Sequence, residues 1–188
     1  TVAAAVATVT IAYGLAAAVL WRPLPFPDAD RLVFAWQVAD TGEPYRATSG
    51  RFHAWRRSVP AFEELALFGA AGFALEGADG SRPIRGVRVS ANYFDVLGIA
   101  PHLGRAFTVS DESPGQHRVV VLSWGAWQRR LGGRADVVGL EVRFSGEPYT
   151  VVGVMPDVAT PGWPAHPARV AFDPAVREFW VPIARTPA

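Results

Sequence analysis

The sequence contains no lysine: all 18 basic residues among its 188 are arginine. A chain without lysine cannot supply the phosphate-contacting lysine of a P-loop, a Schiff-base lysine or a serine–lysine dyad, which excludes ATP chemistry of the usual kind. Cysteine is absent too, which removes thiol nucleophiles, thiolate zinc sites and disulfides together, without revealing the redox compartment. Neither sign of charge is in excess. Eighteen basic against 17 acidic residues leave a net +1, with no basic field for a nucleic acid and no acidic tail. Half of the residues are hydrophobic and 19% charged, the balance of a folded protein with one domain or two small ones. The codon bias of a GC-rich genome explains an arginine-only chain rich in Ala and Gly more simply than selection for guanidinium contacts.

Residues 1–21 carry no charged side chain. At about 1.5 Å per residue a helix of this length reaches roughly 30 Å, the thickness of a bilayer's hydrocarbon core. The segment ends at Trp21-Arg22-Pro23, an aromatic and a cation at interface level. It begins with Thr1, without a basic flank, so it reads as a membrane helix truncated at its N-terminus. A signal peptide ending near Ala16–Ala18 is the second reading, although its apolar core would be roughly 7–15 residues behind positive charges. A buried core helix is the third, because Ala, Val, Ile and Leu all round leave no polar face. Ala3, Ala7, Gly14 and Ala18 can share a small-residue face, a stripe of poor specificity in so Ala-rich a segment. Three alternate prolines in residues 22–28 then end the helix and favour an extended exit.

Beyond Arg31 the pattern becomes short strands and helices. Arg31–Val38 reads as a strand, and Ser49–Arg57 as a helix capped by Ser49 with Phe52 and Trp55 inward. Phe62–Leu75, interrupted by Gly69 and Gly72, reads as a strand pair or a bulged strand. It turns at Glu76–Gly80 into Pro83–Val89, giving a hairpin. Ala91–Leu97 makes a helical turn or two closed by Gly98. Arg118–Ser123 is a buried strand, and Ser123 caps a helix to Leu131. Gly139–Phe144 and Pro148–Val154 form a second hairpin about Ser145-Gly146. Met155–Pro174 is Pro-rich loop before a short apolar end, Phe179–Ile183. Antiparallel pairs beside single helices predict an α+β sandwich, a mixed and mainly antiparallel sheet with short helices on one face.

Tests for chemistry give little. His53, His102, His117 and His166 have no metal-pair spacing and read as solvated surface residues. Ser123 stands where a nucleophile elbow would, but Val121 occupies the required glycine position, so helix capping explains it better. No G-x-G-x-x-G follows a strand. Glu63-Glu64 and Asp111-Glu112 are the acid pairs a glycosidase would need about 5–10 Å apart; adjacent in sequence, they read as solvated faces. Trp36, Trp55 and Trp127 fall at apolar positions and read as core. No catalytic, cofactor-binding or metal-ligating residue is assigned.

Four ordered blocks carry a resemblance: residues 20–33 (LWRPLPFPDADRLV), 89–108 (VSANYFDVLGIAPHLGRAFT), 119–133 (VVVLSWGAWQRRLGG) and 148–156 (PYTVVGVMP). Together they resemble the MacB-like periplasmic core domain of ABC transporter permeases, in particular duplicated orphan permeases without an ATPase domain of their own. The resemblance implies a transmembrane helix over residues 1–21 and a periplasmic core domain over 22–188. It implies a non-enzymatic, multi-pass inner-membrane transport subunit whose periplasmic part transmits ATPase-driven motion to substrate or partner proteins. The partners implied are a cytoplasmic ABC ATPase, a permease dimer partner, a periplasmic adaptor and membrane lipid, with no nucleic acid and no cofactor. The family carries no catalytic residues to transfer; Phe94, Leu97, Gly98, Gly104 and Arg105 are assigned to structure, the glycines at backbone turns. The alternative is a membrane-anchored, FtsX-like regulator of cell-wall enzymes. A secreted hydrolase using acidic residues is a third hypothesis.

Overall fold

The computed structural model describes residues 26–33, 35, 37–38, 44–45, 49–77, 80–157 and 178–184. The apolar segment 1–21, Trp36, His166 and most of the Pro-rich loop lie outside them. Among the described residues no helix is long and apolar enough to cross a membrane.

A 3-10 turn at Ala29–Arg31 precedes a small antiparallel pair, β1 (Gln37–Val38) and β2 (Pro44–Tyr45). Then follow α1 (Ser49–Ser58), β3 (Phe68–Gly77), β4 (Gly80–Val89), α2 (Tyr93–Val96) and β5 (Leu103–Gly104). After a second 3-10 turn, Val109–Glu112, come β6 (Val119–Leu122), α3 (Trp124–Leu131), β7 (Glu141–Phe144), β8 (Glu147–Val154) and β9 (Phe179–Pro182).

Seven strands form one sheet in the order β5-β8-β6-β9-β4-β3-β7, and β7 also pairs with β8. The path β8-β6-β9-β4-β3-β7 therefore closes on itself. β4–β9 and β6–β8 are parallel and the other pairs antiparallel. Side chains alternate across each strand, which splits the apolar residues into two clusters. Ile84, Val120, Leu122, Phe144, Val151, Phe179 and Val181 fill the interior. Phe144 of β7 meets Phe179 of β9 at 4.8 Å, although β3 and β4 separate those strands along the ring. Such a contact is possible only across the inside of a closed sheet. Val87, Val89, Val121, Val152 and Trp180 face outward and are covered by Phe94, Leu97, Ile99, Phe107 and Phe26.

The α+β class and the mixed, mainly antiparallel sheet agree with the sequence pattern, but the open sandwich does not. Helices pack on both clusters: Phe94 of α2 on the outer one, and Trp127 with Leu131 of α3 on the inner one. Of the predicted strand at Arg31–Val38, the described residues show β1. No described strand lies beside residues 31–33, and Val33 is 72% exposed. β3 is one unbroken strand beginning at Phe68, not two strands and not bulged, because its register with β4 is continuous from Phe68–Val89 to Gly77–Gly80. Phe179–Ile183, read as a chain end, supplies the interior strand β9, with all four of its residues buried.

Two of the positive-φ glycines, Gly98 and Gly104, set the chain path near the core. Gly98, at +66°, closes α2, with its N–H on Asp95 O and that of Ile99 on Phe94 O, both at 3.0 Å. Gly104, at +70°, lies opposite Gly153 in the β5–β8 pair. A Cβ at Gly104 would stand 2.2 Å from Val152 O, and one at Gly153 would stand 2.4 Å from Arg105 O. The two bare positions let the chain pass close enough for Arg105 N to donate to Val152 O at 2.9 Å.

Candidate interaction surface

A groove of about 1010 Å³ lies beside the outer cluster. Asp28, residues 31–33 and Ala35 form one wall and residues 61–70 another, with Phe52 and Trp55 of α1, Tyr93 and Val96 of α2 and the adjoining Leu97 closing it. Phe52 and Trp55 are three apart, so one side of α1 turns both rings inward. A hydrogen-bonded strap fixes the 61–70 wall. Asn92 Nδ2 donates to Glu64 Oε2 and to Leu65 O, both at 3.0 Å; Ser90 Oγ donates to Asn92 Oδ1 at 2.9 Å and accepts from Leu67 N at 2.9 Å.

The acid pairs do not converge into a catalytic site. Glu63 pairs with Arg31, and Glu64 lies 3.5 Å from Arg56. All four side chains are more than half exposed, so each pair contributes little. Asp111 and Glu112 are not a solvated face: they are 5% and 9% exposed. Asp111 takes two bonds from Arg105, at 2.7 and 3.1 Å, and completes a capping box with Thr108. Burial opposes its charge, but the Arg105 guanidinium and the N–H and hydroxyl of Thr108 together hold the Asp111 carboxyl below the usual range. Glu112 Oε1 accepts from Ala91 N at 2.7 Å. Each carboxylate also accepts from a backbone N–H, Asp111 from Thr108 and Glu112 from the buried Ala91. A helical register with polar neighbours hid this role, because burial here comes from tertiary packing.

Two more ion pairs tie elements together. Arg130 of α3 grips Glu178, just ahead of β9, with its Nη2–Oε1 bond at 2.7 Å, and this raises the guanidinium pKa. Exposed Arg134 and Asp136 pair through Nε–Oδ1 at 2.7 Å, which draws the Asp136 carboxyl down to about 2.

Ser123 Oγ accepts from Ala126 N at 3.1 Å, the predicted cap. Trp127 is core, its indole N–H donating to Arg134 O at 2.9 Å, and Trp55 is half-buried on the groove. Exposed His102 packs edge-on against Trp124 at 4.8 Å. His117 is half-buried rather than solvated, and the side chain of His53 is outside the described residues. Phe94 and Leu97 are core, and Arg105 clamps Asp111, as assigned. Among the described residues no three His, Asp or Glu side chains gather as a metal site.

Residues 1–187 match the family model described as the MacB-like periplasmic core domain. Two solved structures are similar in fold. The periplasmic region of MacB from Actinobacillus actinomycetemcomitans is 20% identical with a TM-score of 0.51, over 70% of this chain and 52% of that one. The extracellular domain of the noncanonic ABC-type transporter YknZ from Gram-positive bacteria is 18% identical with a TM-score of 0.56, over 79% and 70%. This chain thus spans about half of that MacB region. No curated protein matches it.

Proposed function

The chain belongs to the MacB-like periplasmic core domain family, the periplasmic domain of ABC-type transporter permeases, and from that premise we propose that it is a non-catalytic transport subunit that couples a membrane segment to extracytoplasmic partners. The observation that carries the reading is the family match over residues 1–187. In this reading residues 1–21 cross the inner membrane of a multi-pass protein, residues 22–188 stand outside the cytoplasm, and a separate ABC ATPase supplies the energy. A permease dimer partner and a periplasmic adaptor complete the assembly.

The packing offers a path for motion. Phe26, 6% exposed, belongs to the outer cluster with Phe94, Leu97 and Trp180. A Cβ at Gly98 would lie 3.2 Å from the Pro27 ring, so the chain enters the domain through a tight contact. At the other end Ile183 N donates to Val89 O at 2.9 Å, and Val89 is in the same cluster as Phe26. Close-packed interiors transmit displacement rather than absorb it. A shift of the segment before Phe26 therefore moves the outer cluster as a unit.

A cysteine-free chain makes the topology directly testable. Gln116→Cys, at an exposed turn, should react with a membrane-impermeant maleimide in intact spheroplasts, and the full-length protein should co-purify with an ABC ATPase from native membranes. Labelling only after lysis, or purification free of any ATPase, would refute the reading.

A further inference from the structure

Among the described residues, ring closure leaves an edge of β3 open. β7 meets β3 only where Leu75 opposes Phe144. The ladder ends at the β7–β8 turn, where Ser145 N donates to Ala74 O at 2.7 Å and Ser145 Oγ accepts from Ala74 N at 3.0 Å. Past that turn β3 continues through Phe68–Phe73 with no β7 beside it. Parity fixes which groups face outward. Ala74 bonds toward β7, whereas Leu67 O accepts from Ser90 N on the β4 side. With a period of two, Ala70 and Gly72 turn their N–H and C=O away from β4. The other strand agrees: Arg85 O and Val89 O, the register partners' side of the ladder, accept from Glu178 N and Ile183 N toward β9. No described strand pairs with Ala70 or Gly72 on their outer side.

Natural sheet edges are guarded by charge, proline or a bulge. Residues 68–73, FGAAGF, have none of these. Charge stands one strand back instead. Arg85 lies opposite Gly72 and Arg88 opposite Gly69, both arginines exposed. A Cβ at either glycine would meet nothing within 4 Å, so no side chain stands between each arginine and the edge. Residues three apart on a strand occupy opposite faces, so there is one cation on each face. Arg88 lies over the Phe73 ring at 5.4 Å, and neither arginine has a carboxylate partner among the described residues.

We propose that the open edge of β3 is a docking site for an extended acidic segment of a partner protein, which adds as a strand along Ala70 and Gly72 and places one carboxylate near each of Arg85 and Arg88. Backbone bonds to the edge supply affinity and register, and the two cations select the sign of the partner. A second copy of this chain is the poorer occupant, because pairing β3 with itself brings the arginines of both copies to one strip. The groove reaches this strand at Phe68, Gly69 and Ala70, giving flanking residues of the segment an apolar surface.

Residue-resolved hydrogen exchange on the full-length protein in detergent tests this with two blocked heptapeptides of alternating Thr and Val. One carries two Glu, one on each face, and the other two Lys. Without peptide the Ala70 and Gly72 amides should exchange fast at every protein concentration. The Glu peptide should slow them and bind at least about tenfold more tightly than the Lys peptide. Combined Arg85→Glu and Arg88→Glu should reverse that preference; if this variant fails to fold, Arg85→Gln with Arg88→Gln should abolish it. Slow exchange without peptide, whether from cover by this chain or by a second copy, overturns the proposal. So does protection by neither peptide, or by both equally.

Discussion

Gly86 faces the ring interior on β4, and the Phe179 side chain lies directly over it. A Cβ built at Gly86 would stand 2.5 Å from Phe179 Cε2 and Cζ and 2.6 Å from Phe179 O. Carbon atoms prefer about 3.5–4.0 Å, so Gly86→Ala creates an overlap of roughly 1 Å. Phe179 cannot swing aside: it is 0% exposed and held by Phe144 at 4.8 Å and Phe73 at 5.4 Å. Part of the clash is with backbone, so β9 itself must shift against β4 and β6. Overpacking of this kind costs about 1–3 kcal/mol, while replacing glycine in a strand returns about 0.5–1 kcal/mol of chain entropy. The net expectation is about 1–2 kcal/mol of destabilisation, a Tm lower by about 2–8 °C for a domain of this size. Gly72→Ala is the control on the neighbouring strand. It meets open space at negative φ and should be neutral or stabilising by up to about 1 kcal/mol. Thermal unfolding of the full chain, followed by far-ultraviolet circular dichroism, separates the two. Equal Tm values for Gly86→Ala and Gly72→Ala would refute the reasoning that a closed interior leaves no room at Gly86.

The buried acids give two further expectations. Asp111 has a folded-state pKa below its unfolded value, so its contribution is fully present above about pH 4, the unfolded value, and is lost as pH falls through the lower folded one. Asp111→Asn should therefore cost about 1–2 kcal/mol at neutral pH, with the gap to wild type closing below about pH 4 in urea titrations run across pH; a gap that stays constant to acid would contradict this. Glu112→Ala strands the buried Ala91 N–H and should cost about 1–3 kcal/mol. Glu112→Gln, which keeps an acceptor, should cost clearly less, and equal losses in denaturant unfolding would show that the bond contributes nothing.

Local rules made several elements legible. Ser123 before an apolar helix, glycine after Leu97 and Ser145-Gly146 between two alternating runs each state their geometry through capping or turn chemistry that needs only nearby residues. Trp127 is legible as core from its apolar position, whereas Phe94, Leu97 and Arg105 are assigned to structure by the resemblance and not by any local rule. The groove was not legible. Its lining runs in sequence from Asp28 through Leu97 to Ile183, and no periodicity records which loops become neighbours.

The sequence by itself determined the zeros and what they remove: without lysine or cysteine this chain supplies no P-loop or Schiff-base lysine, no thiolate zinc site and no disulfide. It also determined the family, because four ordered blocks over nearly the whole chain are carried by residue identity. Only the tertiary structure decided that the sheet closes. Phe179–Pro182 reads as a chain end until it inserts between β4 and β6, since strand order depends on long-range pairing that a strand's own composition does not encode. Tertiary packing likewise buried Asp111 and Glu112, placed Phe179 over Gly86 and left Ala70 and Gly72 as an open edge, three outcomes of which elements meet rather than of what each is made.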